Sequence, residues 1–182
     1  MEDLSSPGPA PDDQPSSRPA GARLGDINGV VVVQRRQIVD DRGKVAHMLR
    51  ADDPVFEKFG EVYFSWVNPG KVKAWHLHKV MTLNYACPHG EVRFVLFDQR
   101  EGSSTYGHVM ELVLAPEPEH YRLVKVPPGV WNGFTGTAPY PSMVCNCATI
   151  PHDPAEIVRV PHDDPGFPYD WERGEIRQLP LR

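Results

Sequence analysis

The chain has 182 residues, enough for one ordinary domain that buries roughly two-thirds of the surface its unfolded form exposes. Its 24 acidic and 19 basic side chains leave a formal net charge of −5, without the basic excess that recognises nucleic acid. Apolar runs such as Val30–Val33 stop at four residues, far short of the ~20 that a membrane-spanning helix needs.

Residues 1–23 are dominated by Pro, Ser, Gly and Asp. Such a segment buries too little apolar surface to offset the entropy of ordering, so a disordered tail is expected there, followed by a single domain over 24–182. Acids and prolines stand where a secretory signal has a basic and then an apolar region. The three cysteines, Cys87, Cys145 and Cys147, lack metal-ligand spacing. Reduced thiols in a cytoplasmic protein are the plain expectation.

From Asn28 onward the punctuation is that of an all-β protein. Asn28-Gly29, Asp41-Arg42-Gly43, Asn68-Pro69-Gly70, Pro88-His89-Gly90, Glu101-Gly102 and Pro127-Pro128-Gly129 each mark a turn. Between them lie β-branched and aromatic runs: Val30–Val33, Val45–Leu49, Glu61–Val67, Met81–Cys87, Glu91–Asp98, Val109–Leu114, Tyr121–Val126 and Met143–Ile150. Their even spacing predicts a sandwich or closed barrel. Asp52–Phe59 predicts a short peripheral helix, with an aspartate cap and Pro54 in the first turn. Pro161 to Trp171 reads as an extended segment laid over the barrel.

The most specific stretch is Gly70 to His78, continuing to Gly90. It resembles the first cupin motif, in which a glycine is followed after five residues by His-x-His. His76 and His78 are two apart, so on a strand both imidazoles face one side of the sheet. A cupin metal site adds a glutamate and a third histidine. Here those positions fall on Thr82 or Leu83 and on Asn132, and two nitrogens alone do not hold a transition metal well. No cofactor or metal is therefore expected. Three readings stay open: two histidines that satisfy a polar pocket, a metal pair, or His76 as an acid–base residue.

Four motifs in order carry a wider resemblance, over roughly Gln37 to Trp171, to the dTDP-4-dehydrorhamnose 3,5-epimerase family. Asp41-Arg42-Gly43 resembles its DxRG turn, and Lys73-Ala74-Trp75-His76-Leu77-His78 its RGLHxQ. Asp98-Gln99-Arg100 with Ser103 to Gly107 resembles DxRxxSPTFG, and Val126 to Phe134 is similar to IPxGxxHGF. Asp164 stands seven residues before Trp171, as an aspartate precedes the family's closing tryptophan. The resemblance implies a cupin jelly-roll barrel, a homodimer and a nucleotide-sugar substrate. It implies His76 as the base that removes a proton beside the carbonyl of a 4-keto-6-deoxyhexose, with Asp164 or Asp98 orienting its ring.

In the family a lysine stabilises the enolate and a tyrosine returns the proton on the opposite face. Those positions fall near Leu83 and Cys145 here, leaving Lys73, Lys79, Tyr85 and Tyr106 as the side chains open to the roles. Arg42 and Arg100 either grip a pyrophosphate or pair with surface carboxylates. His78, Asn132 and Tyr85 are candidates for substrate contact. Trp75, Trp131 and Phe134 either stack on a base or sugar or fill the core, while Trp66 and Trp171 are assigned to packing. The competing functions are a sugar-nucleotide isomerase, a non-catalytic sugar-binding cupin, a repurposed lyase or cyclase, and a small metal cupin.

Overall fold

The computed structural model describes residues 23–177; the tail expected over 1–23 lies outside them except for Arg23. The alternation of inward and outward side chains sets the architecture. The strands are β1 (Arg23–Leu24), β2 (Val31–Gln34), β3 (Gln37–Asp40), β4 (Gly43–Ala46), β5 (Glu61–Val67), β6 (Val72–His78), β7 (Leu83–His89) and β8 (Val92–Asp98). They continue as β9 (His108–Leu114), β10 (Arg122–Val126), β11 (Val130–Gly136), β12 (Ser142–Ala148), β13 (Ile157–Arg159), β14 (Tyr169–Asp170) and β15 (Glu175–Ile176). Two sheets, ordered β1-β9-β8-β11-β6-β13 and β2-β10-β7-β12-β5, pack face to face as a jelly roll. Each run read from the sequence carries a strand. The largest displacement is at Val45–Leu49, where β4 stops at Ala46 because its partner β3 begins opposite it, at Gln37.

No helix occurs among the described residues, which corrects the expected one over Asp52–Phe59. The side chain that would cap it is used elsewhere. Asp53 accepts a hydrogen bond from the Arg50 amide and binds Arg35 at 2.6 Å, so the chain folds into successive turns.

Between the sheets lies an apolar core that includes Phe94, Leu96, Val124, Phe134 and Val144. A second cluster lies on the outer face of the six-stranded sheet. There Trp75, Phe97 and Trp131 are covered by Phe167, Tyr169 and Trp171 from the proline-rich end. Phe167 stacks on Trp75 at 4.9 Å and meets Trp131 edge-on at 5.0 Å. Trp75, Trp131 and Phe134 are thus core residues. Trp66, assigned to packing, is instead 52% exposed, on the outer face of an edge strand where the other sheet does not reach.

The pairing of β6 with β11 is interrupted. Asn132 opposes His76 and Phe134 opposes Lys73, so Ala74 and Trp75 together oppose Gly133 alone. A side chain at Gly133 would collide with Ala74, so the bulge needs glycine there. Its effect is to keep Lys73 and His76 on the inner face while Trp75 enters the outer cluster.

If the proline-rich end is a structural cover, Phe167→Ala should cost about 3–5 kcal/mol. For a domain of this size that lowers Tm by on the order of 10 °C. Calorimetry showing a fall of less than about 2 °C would mean the segment is not holding Trp75.

Candidate active site

Where β5 and β6 diverge from their connecting turn, the inner faces of the two sheets enclose a cavity of about 580 Å³. That is within the roughly 300–1,000 Å³ typical of small-molecule sites. β6 contributes Lys73, His76 and His78, and β13, paired alongside it, contributes Arg159 opposite His76. The facing wall is β5, where alternation presents Glu61, Tyr63 and Ser65. Lys73 reaches across, its Nζ donating to Ser65 Oγ at 2.9 Å.

Behind the walls lies a polar layer. Asn132 is fully buried; its Nδ2 donates to the His76 carbonyl at 3.2 Å, and its Oδ1 accepts from the Tyr85 hydroxyl at 3.5 Å. Asn146 Nδ2 donates to the Tyr63 oxygen at 2.9 Å, and Tyr63 and Tyr85 share a hydrogen bond. Burial, then the Tyr63 neighbour, pushes Tyr85 well above the ordinary phenol range, so it stays protonated.

His78 is held from below. Its Nδ1 lies 2.6 Å from Glu156 Oε2, with both side chains buried, and Glu156 Oε1 accepts from the amides of Val80 and Met81. Burial alone raises Glu156, but the two amides and His78 outweigh it, so the carboxyl lies below its usual value. Removing one partner of such a pair leaves an uncompensated buried charge, at a cost of about 3–5 kcal/mol.

His76 has a different environment. Burial first, then the neighbouring His78, Arg159 and Lys73, pull it down to about 3. The ring is a neutral imidazole near pH 7, able to accept a proton.

The structure brings five of the residues singled out from sequence to one place: Lys73, His76 and His78 on the cavity wall, with Tyr85 and Asn132 behind it. The others are placed elsewhere. Asp98 accepts from Arg100, Ser103 and Thr105, and these bonds hold its carboxyl well below the usual range against the opposing effect of burial. Arg100 also donates to the Asn28 carbonyl. Arg42 pairs with Asp40 at the exposed tip of the β3–β4 hairpin. Trp131 lies in the outer cluster and donates to Gln99. Asp164 accepts from the Gly166 amide in a turn. Cys145, where the resemblance puts a tyrosine, pairs with Phe64 on the outward side of β12. No group of three or more potential metal ligands converges among the described residues.

Tyr63, Ser65, Arg159 and Glu156 were not singled out from sequence. The alternation of Glu61, Tyr63 and Ser65 along one strand was a usable signal. Arg159 and Glu156 carried none, because they reach the site only through the pairing of β13 with β6.

The low affinity of His76 for a proton is testable without substrate. Its folded-state value lies below the unfolded one, so protonation opposes folding; the stability involved is complete above about pH 6.5 and is lost as pH falls toward 3. By NMR, the His76 ring should not titrate above about pH 5. Lys73→Met combined with Arg159→Met should move its midpoint upward. A wild-type midpoint near 6.5, unchanged in the variant, would contradict this electrostatic picture.

The sequence matches the dTDP-4-dehydrorhamnose 3,5-epimerase family across residues 25–180. It is 32% identical over 150 residues to the probable low-salt glycan biosynthesis epimerase Agl13 of Haloferax volcanii, covering 80% of this chain and 95% of that one. It is 30% identical over 147 residues to the spore coat polysaccharide biosynthesis protein SpsL of Bacillus subtilis, covering 80% and 96%. The fold superimposes on a crystal structure of a dTDP sugar isomerase from Desulfovibrio desulfuricans with a TM-score of 0.79 and 43% identity, over 82% of this chain and 95% of that one. The chain therefore belongs to the dTDP-4-dehydrorhamnose 3,5-epimerase family and is a sugar-nucleotide isomerase of that type.

Proposed function

We propose that the protein epimerises a nucleotide-linked 4-keto-6-deoxyhexose in deoxysugar or polysaccharide biosynthesis, with His76 as the base. The observation that carries this is the placement of the His76 imidazole on the cavity wall with Lys73 and Arg159 beside it. His76 removes the proton from the carbon beside the ketone; that C–H electron pair moves to the carbonyl oxygen and gives an enolate. Lys73 and Arg159 are the cations available to the developing oxyanion or to the diphosphate. A substrate that brings negative charge beside them offsets the cationic contribution that adds to burial in holding His76 low, so the base strengthens when the site is filled. His78, fixed by Glu156, presents its other nitrogen toward the cavity as a contact for a sugar hydroxyl.

We also propose that the working form is a homodimer. The β3–β4 hairpin exposes Ile38, Val39 and Val45, and the outer face of edge strand β5 exposes Val62, Phe64 and Trp66. Apolar groups clustered on a hairpin and an edge strand favour a protein partner. β2 lies at the other edge of the same sheet as β5, paired among the described residues only with β10, so its free side also offers an edge to a partner's sheet. A cytoplasmic location fits the free thiols, of which burial raises Cys87 to about 12 and Cys145 to about 11.

Incubation with dTDP-4-keto-6-deoxyglucose in deuterium oxide should show loss of the C3 or C5 proton signal by NMR. His76→Ala should slow this by at least about 10²-fold while dTDP still binds. Equal exchange in both proteins would remove His76 from the chemistry. Binding without exchange in the wild type would leave a non-catalytic sugar-binding cupin. Sedimentation velocity should give a dimer that Phe64→Glu with Ile38→Glu dissociates; a wild-type monomer at micromolar concentration would rule the dimer out.

A further inference from the structure

We infer that Tyr63, on β5, is the acid that returns the proton on the face of the sugar opposite His76. This rests on the isomerase reading above and assigns the half of the reaction that the residue at position 145 cannot perform. Epimerisation needs a proton removed from one face of the ring and one delivered to the other, so base and acid must stand on opposite walls. His76 and His78 share the inner face of β6, in the six-stranded sheet. Tyr63 belongs to the five-stranded sheet and borders the same cavity. Cys145 faces outward with Phe64, the side chain next to Tyr63 on the opposite side of β5.

The surroundings of Tyr63 suit a proton donor. At 37% exposed, it is open to the cavity and is not locked into the core. Asn146 Nδ2 donates to its oxygen at 2.9 Å, and the Tyr85 hydroxyl shares a second hydrogen bond. The Asn146 amide stabilises the phenolate that is left once the proton has gone. The wall around it is fixed: Asn146 Oδ1 accepts from the Asn84 amide, and Lys73 is tied to Ser65 two residues along β5. In the step itself, the enolate carbon takes the proton from the Tyr63 O–H as the carbonyl re-forms. The phenolate and the His76 imidazolium then return to their starting states by exchange with water.

The test separates removal of the proton from its return. With dTDP-4-keto-6-deoxyglucose in deuterium oxide, the wild type should both incorporate deuterium and invert the carbon. Tyr63→Phe should keep deuterium incorporation within a few-fold, since the enolate is quenched on the His76 side, while inversion falls by about 10²–10⁴-fold. Cys145→Ser should leave both rates unchanged. Inversion by Tyr63→Phe at the wild-type rate would overturn the assignment. So would joint loss of exchange and inversion with dTDP binding intact, because a second-face donor is not needed for removal from the first. A wild type that neither exchanges nor inverts would instead sink the isomerase reading itself, and this assignment with it.

Discussion

The rest of the site depends on one interruption in strand pairing. Two residues of β6, Ala74 and Trp75, oppose the single Gly133 of β11. Regular alternation through this stretch would send Lys73 and His76 to opposite faces, because they are three residues apart. With the bulge both face inward, and Trp75 still reaches the outer aromatic cluster under Phe167 and Trp171. One irregularity thus anchors the strand on the outside and sets the base and a cation side by side on the inside. The glycine requirement and the buried tryptophan serve the chemistry indirectly, by fixing where β6 can sit.

The electrostatics follow from that placement. Arg159 arrives opposite His76 because β13 pairs with β6, and His78 is clamped by Glu156 from the residues just before β13. The short segment from Glu156 to Arg159 therefore supplies both the clamp and a cation. Burial first, and then this charge pattern, hold His76 unprotonated. An anionic ligand offsets the cationic part of that effect, so basicity rises when there is substrate to deprotonate. This is a physical reason for the base to lie among cations instead of beside a carboxylate.

Much of the fold was legible because local rules decide it. Turn residues and period-two runs located β5, β7, β8 and β10 closely, and the His76–His78 spacing announced a shared face. The helix over Asp52–Phe59 failed for a tertiary reason: the carboxylate of Asp53 is drawn to Arg35, 18 positions before it. The site was only half legible. Lys73, His76, His78, Tyr85 and Asn132 were found through motif and strand, but Asp98 and Arg100 belong to a turn that satisfies itself. Glu156 and Arg159 come from a three-residue strand whose partner is set by topology, which no local pattern encodes. Tyr63 is visible in the alternation of its strand, yet the family motif puts its tyrosine at position 145.

The central claim is that the hexose is held between His76 on one sheet and Tyr63 on the other. A crystal structure with dTDP-glucose, which lacks the ketone and is not turned over, tests it most directly. The expected result is the hexose ring inside the cavity, one face toward His76 and the other toward Tyr63, with Lys73 or Arg159 near its oxygens. A hexose bound outside that cavity, or one with both side chains on the same face, would contradict the account.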